Sequence, residues 1–285
     1  MQVITDPADL LSRSGGIFVP TMGALHDGHA ALVRLAAGIR DSDAAARRSV
    51  LVSIFVNPTQ FNDAGDLARY PRTLDADLAI CQSAGADAVF IPDASTVYPD
   101  GQSIAVPRLP RAATEPKLED ALRPGHFAGV CQVVARLFDL VKPSAAVFGE
   151  KDFQQLAVVR AMVADLRLPI EVLAAPTVRE ADGLAMSSRN RFIAPRDRAR
   201  AAAISLALCE ASAAANSTPD AAERAMRRTL LDAGFADKDV QYAVIRDAAT
   251  LTTPTPAPRN ECRALIAVSL PPVRLIDNAP WKWPA

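Results

Sequence analysis

Net charge is the first thing that this chain has little of. Its 31 Lys and Arg residues are balanced by 32 Asp and Glu residues among 285 positions. A charge this close to zero supplies no general positive field for nucleic acid or for an acidic membrane surface, although it allows a local basic pocket. We therefore expect neither nucleic acid nor a membrane as a partner.

Long apolar runs are also missing. The most apolar helical candidate is interrupted by Arg136 and Asp139, whereas a membrane span needs about 18 residues with few or no charges. The N-terminal segment carries Asp6 and Asp9 and has no apolar stretch of the length found in secretory signals. These absences predict a soluble protein located in the cytoplasm.

Cysteine and histidine are scarce, which limits metal and redox chemistry. Four cysteines are scattered singly along the chain, at positions 81, 131, 209 and 262. Because they lack the close pairs of a zinc knuckle or a redox motif, we expect them to be reduced packing residues. The only histidines are His26, His29 and His126. The first two lie within four residues, so this pair is the first candidate for a functional site.

What the chain does have is a regular alternation of short apolar runs and helical patterns. In the first part, the predicted strands are the apolar runs at 17–19, 50–56, 88–91, 145–148 and 170–173. The predicted helices between them are 30–40, 74–83, 127–140 and 153–166. Almost continuously apolar strands that alternate with helices are typical of a parallel sheet covered on both faces.

The pattern changes near residue 176. Two Ala-rich helical segments at 197–216 and 220–232 are followed by strand patterns at 242–245, 264–269 and 273–276. We therefore predict an α/β protein with a Rossmann-like parallel-sheet domain at 1–176 and a smaller C-terminal α+β domain at 177–285. The linker between them is predicted at 174–178.

The histidine pair lies in PTMGALHDGH, a segment that joins the first predicted strand to the helix after it. Open α/β sheets bind ligands at the carboxyl ends of their strands, and a helix N-terminus favours phosphate through its N–H groups and dipole. Gly23 and Gly28 allow a nucleotide to approach the backbone, and His26 and His29 can point the same way. The segment therefore predicts a nucleotide site in which imidazoles donate hydrogen bonds to phosphoryl oxygens. The alternatives are a histidine pair that caps a helix and an adventitious metal site.

Two further segments follow strands at the same predicted edge. Gln60 lies just beyond the second strand, and its amide suits the hydroxyls and carboxylate of a small polyol acid. Lys151 and Asp152 follow the strand at 145–148, where the lysine suits phosphate oxygens and the aspartate suits a ribose or a magnesium shell. Taken alone, a Lys–Asp pair that opens a helix is more often a cap and a surface ion pair.

A third group of polar side chains, Ser187, Ser188 and Arg189, follows a glycine turn after the predicted linker. Two hydroxyls and a guanidinium can bind phosphates from the side opposite the histidine helix. Their place on the second domain predicts that this domain is a lid, which closes over the nucleotide and excludes water.

Seven segments span almost the whole chain in a consistent order. They are PTMGALHDGH (20–29), SIFVNPTQF (53–61), RYPRTLDAD (69–77), RPGHFAGV (123–130), FGEKDFQQL (148–156), DGLAMSSRN (182–190) and RLIDN (274–278). Together they resemble the pantothenate synthetase (pantoate:β-alanine ligase) family of H-x-G-H nucleotidyltransferases.

This resemblance implies an ATP-dependent ligation in two steps. The carboxylate of pantoate attacks the α-phosphorus of ATP and releases pyrophosphate, and the amine of β-alanine then attacks the pantoyl adenylate and releases AMP. The resemblance also implies Mg²⁺ bound through the ATP phosphates, and it assigns no residue of the chain as a direct metal ligand. A homodimer formed through the first domain is expected on the same ground.

The resemblance further assigns roles to single residues. It makes His29 the principal catalytic group, assisted by His26 and Lys151. The implied ATP contacts are Met22, Gly23, Ala24, Leu25, His26, Asp27, Gly28, His29, Gly149, Glu150, Lys151, Asp152, Val178, Met186, Ser187, Ser188 and Arg189. Gln60 and Gln155 are implied to bind pantoate and β-alanine.

The helix after RPGHFAGV departs from the family pattern, since Gln132 stands where a threonine is expected and Arg136 where a lysine is common. Arg123 and His126 are expected to support the pantoate side of the site. Two other interpretations stay open. One is another H-x-G-H adenylyltransferase, which would need extra cations for a phosphorylated acceptor, and the other is a non-catalytic nucleotide sensor on the same fold.

Overall fold

The first part of the chain forms a six-stranded parallel sheet. A computed structural model describes residues 1–42, 48–61, 64–100, 103–213, 218–255 and 260–283. The strands are β1 (Gln2–Ile4), β2 (Ile17–Thr21), β3 (Val50–Ile54), β4 (Ala88–Phe90), β5 (Ala145–Gly149) and β6 (Glu171–Ala175). Their order in the sheet is β1-β4-β3-β2-β5-β6, and every neighbouring pair is parallel. The α/β fold predicted from the sequence is confirmed.

The strands at the centre of the sheet are apolar because helices cover both of their faces. Ile17, Phe18 and Val19 of β2 are completely buried, as are Val50 and Val52 of β3. Burial on both faces removes the need for alternating polar residues, so these strands appear in the sequence as continuous apolar runs.

Seven helices connect or flank these strands within the described residues. They are α1 (Asp27–Ser42), α2 (Ala64–Arg69), α3 (Leu74–Ala84), α4 (Ala94–Val97), α5 (Glu119–Leu122), α6 (His126–Val141) and α7 (Phe153–Asp165). The buried side of α1, which includes Val33 and Ala36, packs against Ile17 and Val19 of β2. The longest described helices have 16 residues, and none of the described helices is long and apolar enough to cross a bilayer.

The second part of the chain contains two helices and an antiparallel sheet. The helices are α8 (Arg198–Ala213) and α9 (Pro219–Asp232), and the strands are β7 (Val240–Asp247), β8 (Cys262–Leu270) and β9 (Val273–Trp281), in the order β7-β8-β9. Ile204 and Leu208 of α8 belong to the same apolar core as Ile266 of β8. The strands extend beyond the apolar runs because polar residues such as Arg246 continue the hydrogen-bonded ladder.

The chain divides into two compact units. The first contains Met1–Glu150 and Gln154–Pro176, and the second contains Lys151–Phe153 and Thr177–Ala285. The short segment Lys151–Phe153 thus belongs with the second unit although it follows β5 of the first.

Candidate active site

Several of the predicted site segments lie at one edge of the parallel sheet. Strand β2 lies between β3 and β5, with Thr21 opposite Ile54 and Ile17 opposite Ala145. Because all three strands are parallel, their carboxyl ends lie on the same side of the first unit. The loop of residues 22–26, the turn Pro58–Gln60 and Gly149 therefore all follow this edge, which is where open parallel sheets bind ligands.

The loop after β2 has an unusual backbone. Gly23 and Ala24 both have positive φ angles, of 83° and 50°. A Cβ atom on Gly23 would lie 3.0 Å from Oδ2 of Asp77 and 3.1 Å from Cγ2 of Ile54. The sequence interpretation explained Gly23 by the approach of a nucleotide, but the atoms that exclude a side chain here belong to the protein.

Asp77 is the residue of this region that sequence reasoning missed. Its side chain lies under the loop and is almost fully buried, at 1% exposure. The carboxylate accepts hydrogen bonds from the backbone N–H of Ala24 at 2.9 Å and of Leu25 at 2.8 Å. It also accepts a 3.0 Å bond from the hydroxyl of Thr73. The RYPRTLDAD segment contains Asp77, but no local pattern shows which backbone its carboxylate holds.

The two histidines of the loop are in ring contact. Their ring centroids lie 4.1 Å apart with an interplanar angle of 44°. Nδ1 of His26 accepts the N–H of Gly28 at 3.1 Å, and Nδ1 of His29 accepts the N–H of His26 at 3.3 Å. A neutral imidazole whose Nδ1 accepts carries its proton on Nε2. Both rings are therefore set up to donate through Nε2.

Gln60 is held in one orientation beside this loop. It ends a short 3₁₀ turn after β3 and is 9% exposed. Its Oε1 accepts a 3.1 Å hydrogen bond from Nδ2 of Asn57, while its Nε2 lies 3.1 Å from the sulfur of Met22. The structure thus brings Gln60 into contact with a residue of the PTMGALHDGH segment, and the side that it presents there is a donor.

Asn57 is a second residue that sequence reasoning missed. It is 1% exposed. Its Oδ1 accepts the hydroxyl of Tyr98 at 2.8 Å, and its Nδ2 also donates to the carbonyl of Gly129 at 3.2 Å. Burial raises the pKa of Tyr98, against a smaller lowering by Thr59, so the phenol stays a donor. Asn57 therefore ties the Gln60 turn to α6.

The third histidine supports the backbone of Gln60. Nδ1 of His126 lies 2.9 Å from the carbonyl oxygen of Gln60, and Nη1 of Arg123 lies 3.1 Å from Nε2 of His126. Because a carbonyl only accepts and a guanidinium only donates, His126 carries its proton on Nδ1. This tautomer is opposite to that of the loop histidines. His126 and Arg123 therefore position the turn that carries Gln60.

The two glutamines at the start of α7 have different surroundings. Gln154 is buried, accepts the N–H of Glu119 at 2.9 Å and donates to the carbonyl of Ala112 at 2.9 Å. Gln155 is half-buried. Among the described residues, no hydrogen bond connects Gln155 to Gln60, and the joint role of the two residues toward pantoate stays a prediction.

The two departures from the family pattern both bind backbone carbonyls. Gln132 donates a 2.6 Å hydrogen bond to the carbonyl of Ile104. Arg136 donates to the carbonyls of Val97 at 3.2 Å and Thr96 at 3.3 Å. These bonds hold surface segments against α6, so the two residues have a structural explanation.

In the second unit, Lys151 is held by its backbone. Its carbonyl accepts a 2.9 Å hydrogen bond from Nδ2 of Asn278 on β9. Oδ1 of Asn278 accepts Nε of Arg263 at 2.6 Å, and that guanidinium lies 4.4 Å from the ring centre of Phe153. Nζ of Lys151 lies 3.8 Å from Oδ1 of Asp152. The ion pair that is common for a Lys–Asp pair at the start of a helix is therefore also present. The FGEKDFQQL and RLIDN segments meet here.

The segment before Ser187 forms a small hairpin in the second unit. The N–H of Met186 donates to the carbonyl of Val178 at 2.9 Å, and Gly183 turns the chain with a φ of 88°. Arg179 makes a two-point contact with the buried carboxylate of Asp277, at 2.6 and 3.1 Å. The hairpin therefore places Val178 and Met186 directly opposite each other.

The predicted phosphate loop continues from this hairpin. Ser187 caps a 3₁₀ turn that runs over Ser188–Phe192, and its Oγ accepts the N–H of Arg189 at 3.3 Å. Nδ2 of Asn190 donates to Glu180 at 2.6 Å and to the carbonyl of Ala185 at 3.0 Å. Asn190, a third missed residue, thus ties this turn to the hairpin.

The described residues also bear on metal binding. In the part of the chain that the structure describes, no group of three or more His, Cys, Asp or Glu side chains is arranged to hold a metal ion. The four cysteines at 81, 131, 209 and 262 are free thiols.

Comparison with known proteins gives consistent results along the whole chain. The model of the family described as Pantoate-beta-alanine ligase matches residues 7–280. The chain is 48% identical to the pantothenate synthetase of Xanthomonas axonopodis pv. citri, over 98% of this chain and 99% of that protein. It is also 48% identical to the pantothenate synthetase of Acidothermus cellulolyticus, over 93% of this chain and 85% of that protein.

Solved structures agree with these matches. The crystal structure of pantothenate synthetase from Thermus thermophilus superposes with a TM-score of 0.87 and 41% identity, over 98% of this chain and 99% of that one. The pantoate-beta-alanine ligase of Francisella tularensis, solved in complex with beta-gamma ATP and beta-alanine, superposes with a TM-score of 0.75 and 30% identity, over 98% and 97% of the two chains.

Proposed function

This chain belongs to the pantoate-beta-alanine ligase family, and on that premise we infer that it joins pantoate to β-alanine in an ATP-dependent reaction that forms pantothenate. The family match covers residues 7–280. The observation that carries the inference is the pair of imidazoles, His26 and His29, whose Nδ1 atoms both accept backbone N–H groups at the carboxyl edge of the sheet. With Nδ1 as the acceptor, each imidazole donates through Nε2–H, and such donors stabilise an oxygen that gains negative charge.

The first step of the proposed reaction needs no general base. The carboxylate of pantoate is already ionised at neutral pH and can attack the α-phosphorus of ATP directly. What the site must supply is orientation of the two reactants and donors to the phosphoryl oxygens as charge builds up. We assign this role to Nε2 of His29 first, assisted by His26, with Lys151 as a cation for the phosphates.

We assign the acid substrate to Gln60. Asn57 occupies the oxygen of the Gln60 amide, so the amide presents N–H groups toward the loop that contains Met22. An N–H donor suits the carboxylate and the hydroxyl oxygens of pantoate. Gln155, half-buried on the first turn of α7, is proposed as the second amide for this pair of substrates.

The remaining residues of the nucleotide site are also proposals. They are Met22, Gly23, Ala24, Leu25, Asp27, Gly28, Gly149, Glu150, Asp152, Val178, Met186, Ser187, Ser188 and Arg189. Because Ala24 and Leu25 donate their N–H groups to Asp77, we expect contact with ATP at these two residues through other atoms.

Magnesium is proposed to enter with ATP. Mg²⁺ keeps several water ligands and takes one or two carboxylates together with substrate phosphates, so a preformed cage of protein ligands is not required. Asp152, whose side chain is 51% exposed, is an oxygen donor that fits this mode of binding. When bound, the ion would neutralise phosphate charge.

The homodimer and the cytoplasmic location stay proposals as well. The homodimer rests on the family resemblance. The cytoplasmic location is supported by the four free thiols, which a reducing compartment maintains. Light scattering of the purified chain measures the dimer directly.

A product assay tests the proposed function. AMP should be released from ATP only when both pantoate and β-alanine are present, and pantothenate should form in equal amount. An adenylyltransferase of a phosphorylated acceptor would form neither product from these substrates. A nucleotide sensor would bind ATP without turning it over.

A further inference from the structure

We propose that Asp77 is a positioning residue for the adenylation step, because its buried carboxylate fixes the loop that holds His26 and His29 in their donating arrangement. This inference rests on the proposed function, since it names a group that prepares the same site. Asp77 is not proposed to touch ATP or pantoate.

The first argument is the set of hydrogen bonds to the carboxylate. Asp77 is 1% exposed and receives the N–H groups of Ala24 and Leu25 at 2.9 and 2.8 Å. The hydroxyl of Thr73 adds a third bond at 3.0 Å. Burying a carboxylate is unfavourable unless such donors surround it, and bonds to a charged acceptor are stronger than neutral ones. The loop and the carboxylate therefore stabilise each other.

The second argument is the backbone of the loop. Ala24 has a φ of 50°, which is unfavourable for a residue with a Cβ atom. Such a conformation persists only where the surroundings determine it strongly. The bond from the N–H of Ala24 to Asp77 is part of these surroundings. The same carboxylate also lies where it leaves no room for a side chain at Gly23, because a Cβ atom there would be 3.0 Å from Oδ2 of Asp77.

The third argument is the sequence of bonded amides. Leu25 donates to Asp77, the next amide, of His26, donates to Nδ1 of His29, and the amide of Gly28 donates to Nδ1 of His26. A rotation of the loop peptides would therefore move the donors that set both imidazole tautomers. Asp77 acts on the chemistry through these imidazoles.

The arrangement also explains where the phosphate donors come from. Two loop N–H groups donate inward to Asp77, whereas the Nδ1 atoms of His26 and His29 accept backbone N–H groups and their imidazoles can donate to phosphoryl oxygens through Nε2. A charged acceptor is needed for this inward orientation, because a neutral amide offers only one acceptor atom to the three donors. The charge of Asp77, rather than its volume, is thus the feature to test.

The test compares Asp77→Asn with Asp75→Asn. Both changes convert an aspartate of α3 to asparagine, but Asp75 is exposed. We expect D77N to lower kcat for pantoate-dependent exchange of pyrophosphate into ATP by about 10²-fold, with KM for pantoate changed by less than roughly threefold, because the geometry of the donors is lost. We expect D75N to match the wild type.

A spectroscopic readout separates positioning from general stability. The chain has three histidines, so their imidazole ¹⁵N signals can be resolved. In the wild type His26 and His29 should show the Nε2–H tautomer and His126 the Nδ1–H tautomer. In D77N the signals of His26 and His29 should change, while those of His126 stay fixed. These signals report the loop without any turnover, so they distinguish a wrong positioning role from a wrong proposed function.

The proposal is overturned if folded D77N keeps the wild-type signals of His26 and His29, or if its kcat falls only in proportion to the folded fraction. If D77N does not fold, Thr73→Val and Thr73→Ser decide. T73V removes one bond to Asp77 and should lower kcat about three- to tenfold, the effect of one lost hydrogen bond. T73S keeps the hydroxyl and should restore the wild-type rate. Equal rates for T73V and T73S would also contradict the proposal.

Discussion

The side-chain amide of Asn278 donates a 2.9 Å hydrogen bond to the backbone carbonyl of Lys151. The two residues are 127 positions apart in the chain and belong to the same compact unit. Lys151 is the cation proposed to meet the ATP phosphates, and its backbone is thus fixed by a strand of the second unit. This relationship explains why RLIDN belongs to the set of functional segments although it contains no proposed catalytic group.

Asn278→Asp tests this relationship. The change removes the donor to Lys151 but keeps an acceptor for Arg263, so the neighbouring contact is preserved. We expect KM for ATP to rise or kcat to fall about tenfold, since a misplaced cation stabilises the phosphate charge less well. Steady-state kinetics of AMP release measure the effect. Unchanged kinetics would show that the position of Lys151 does not depend on Asn278.

His29→Ala should nearly abolish formation of the adenylate while the fold stays intact. Removal of one donor to developing phosphoryl charge costs about 10²- to 10³-fold in kcat. The residue is half-buried on the first turn of α1, so circular dichroism and the melting temperature should change little. A variant with near-normal pyrophosphate release would contradict the role of His29.

Gln60→Glu should weaken binding of pantoate and leave binding of ATP unchanged. A carboxylate at this position would repel the carboxylate of the substrate and would lose the N–H donors of the amide. We expect KM for pantoate to rise by about 10²-fold, the effect of a buried charged mismatch. Gln82→Glu is the matched control, because Gln82 is exposed on α3 and should tolerate the same change. An equal effect on KM for ATP would contradict the assignment.

The ion pair of Arg198 with Asp182 should contribute pH-dependent stability. A hydrogen bond from Arg198 lowers the pKa of Asp182 below its ordinary value of 3.8, against a smaller effect of burial. Because the folded-state pKa is lowered, this contribution is present above about pH 4 and is lost as the pH falls through the lowered value. Both side chains are about one-third exposed, so solvent screening limits the contribution to about 1 kcal/mol.

Urea unfolding of Arg198→Gln at several pH values measures this contribution. The variant should be less stable than the wild type at pH 7, and the difference should shrink toward pH 3. Arg196→Gln is the control, because the side chain of Arg196 is 89% exposed and its closest contact with Asp197 is 3.7 Å. A difference for R198Q that stays constant down to pH 3 would contradict the assignment.

The reactivity of individual cysteines tests whether Cys81 and Cys131 are packed in the core. Burial raises the pKa of Cys81 to about 11 and that of Cys131 to about 12, and nearby Asp77 adds to the effect on Cys81. Cys209 is exposed. An alkylating reagent at pH 8 should therefore modify Cys209 in the folded protein and reach Cys81 and Cys131 only after unfolding. Mass spectrometry of the labelled peptides identifies the modified positions.

The sequence pattern predicted most of the sheet, because strands that are buried on both faces consist almost entirely of apolar residues. Strands β2, β3 and β5 appear as continuous apolar runs, and the helices between them show regular spacing. Strand β1 was missed because it has three residues, of which one, Ile4, is buried. Its place in the sheet comes from pairing with β4, which is a long-range contact and leaves no local pattern.

The site residues that could be predicted are those that lie in a loop directly after a strand. The order strand, loop and helix placed His26, His29 and Gln60 at one edge because parallel strands share their carboxyl ends. The supporting residues Asp77 and Asn278 were not predictable in the same way. Their hydrogen bonds to Leu25 and Lys151 join residues that are 52 and 127 positions apart. Such contacts form only when the chain folds and leave no local sequence pattern.

The most direct test of the central claim is isotope exchange between pyrophosphate and ATP with pantoate as the only other substrate. We expect exchange that requires pantoate and Mg²⁺ and proceeds without β-alanine, because adenylate formation is reversible and precedes the amine. Absence of exchange with pantoate alone, in a preparation that does form pantothenate when ATP, pantoate and β-alanine are all present, would contradict a separate adenylation step.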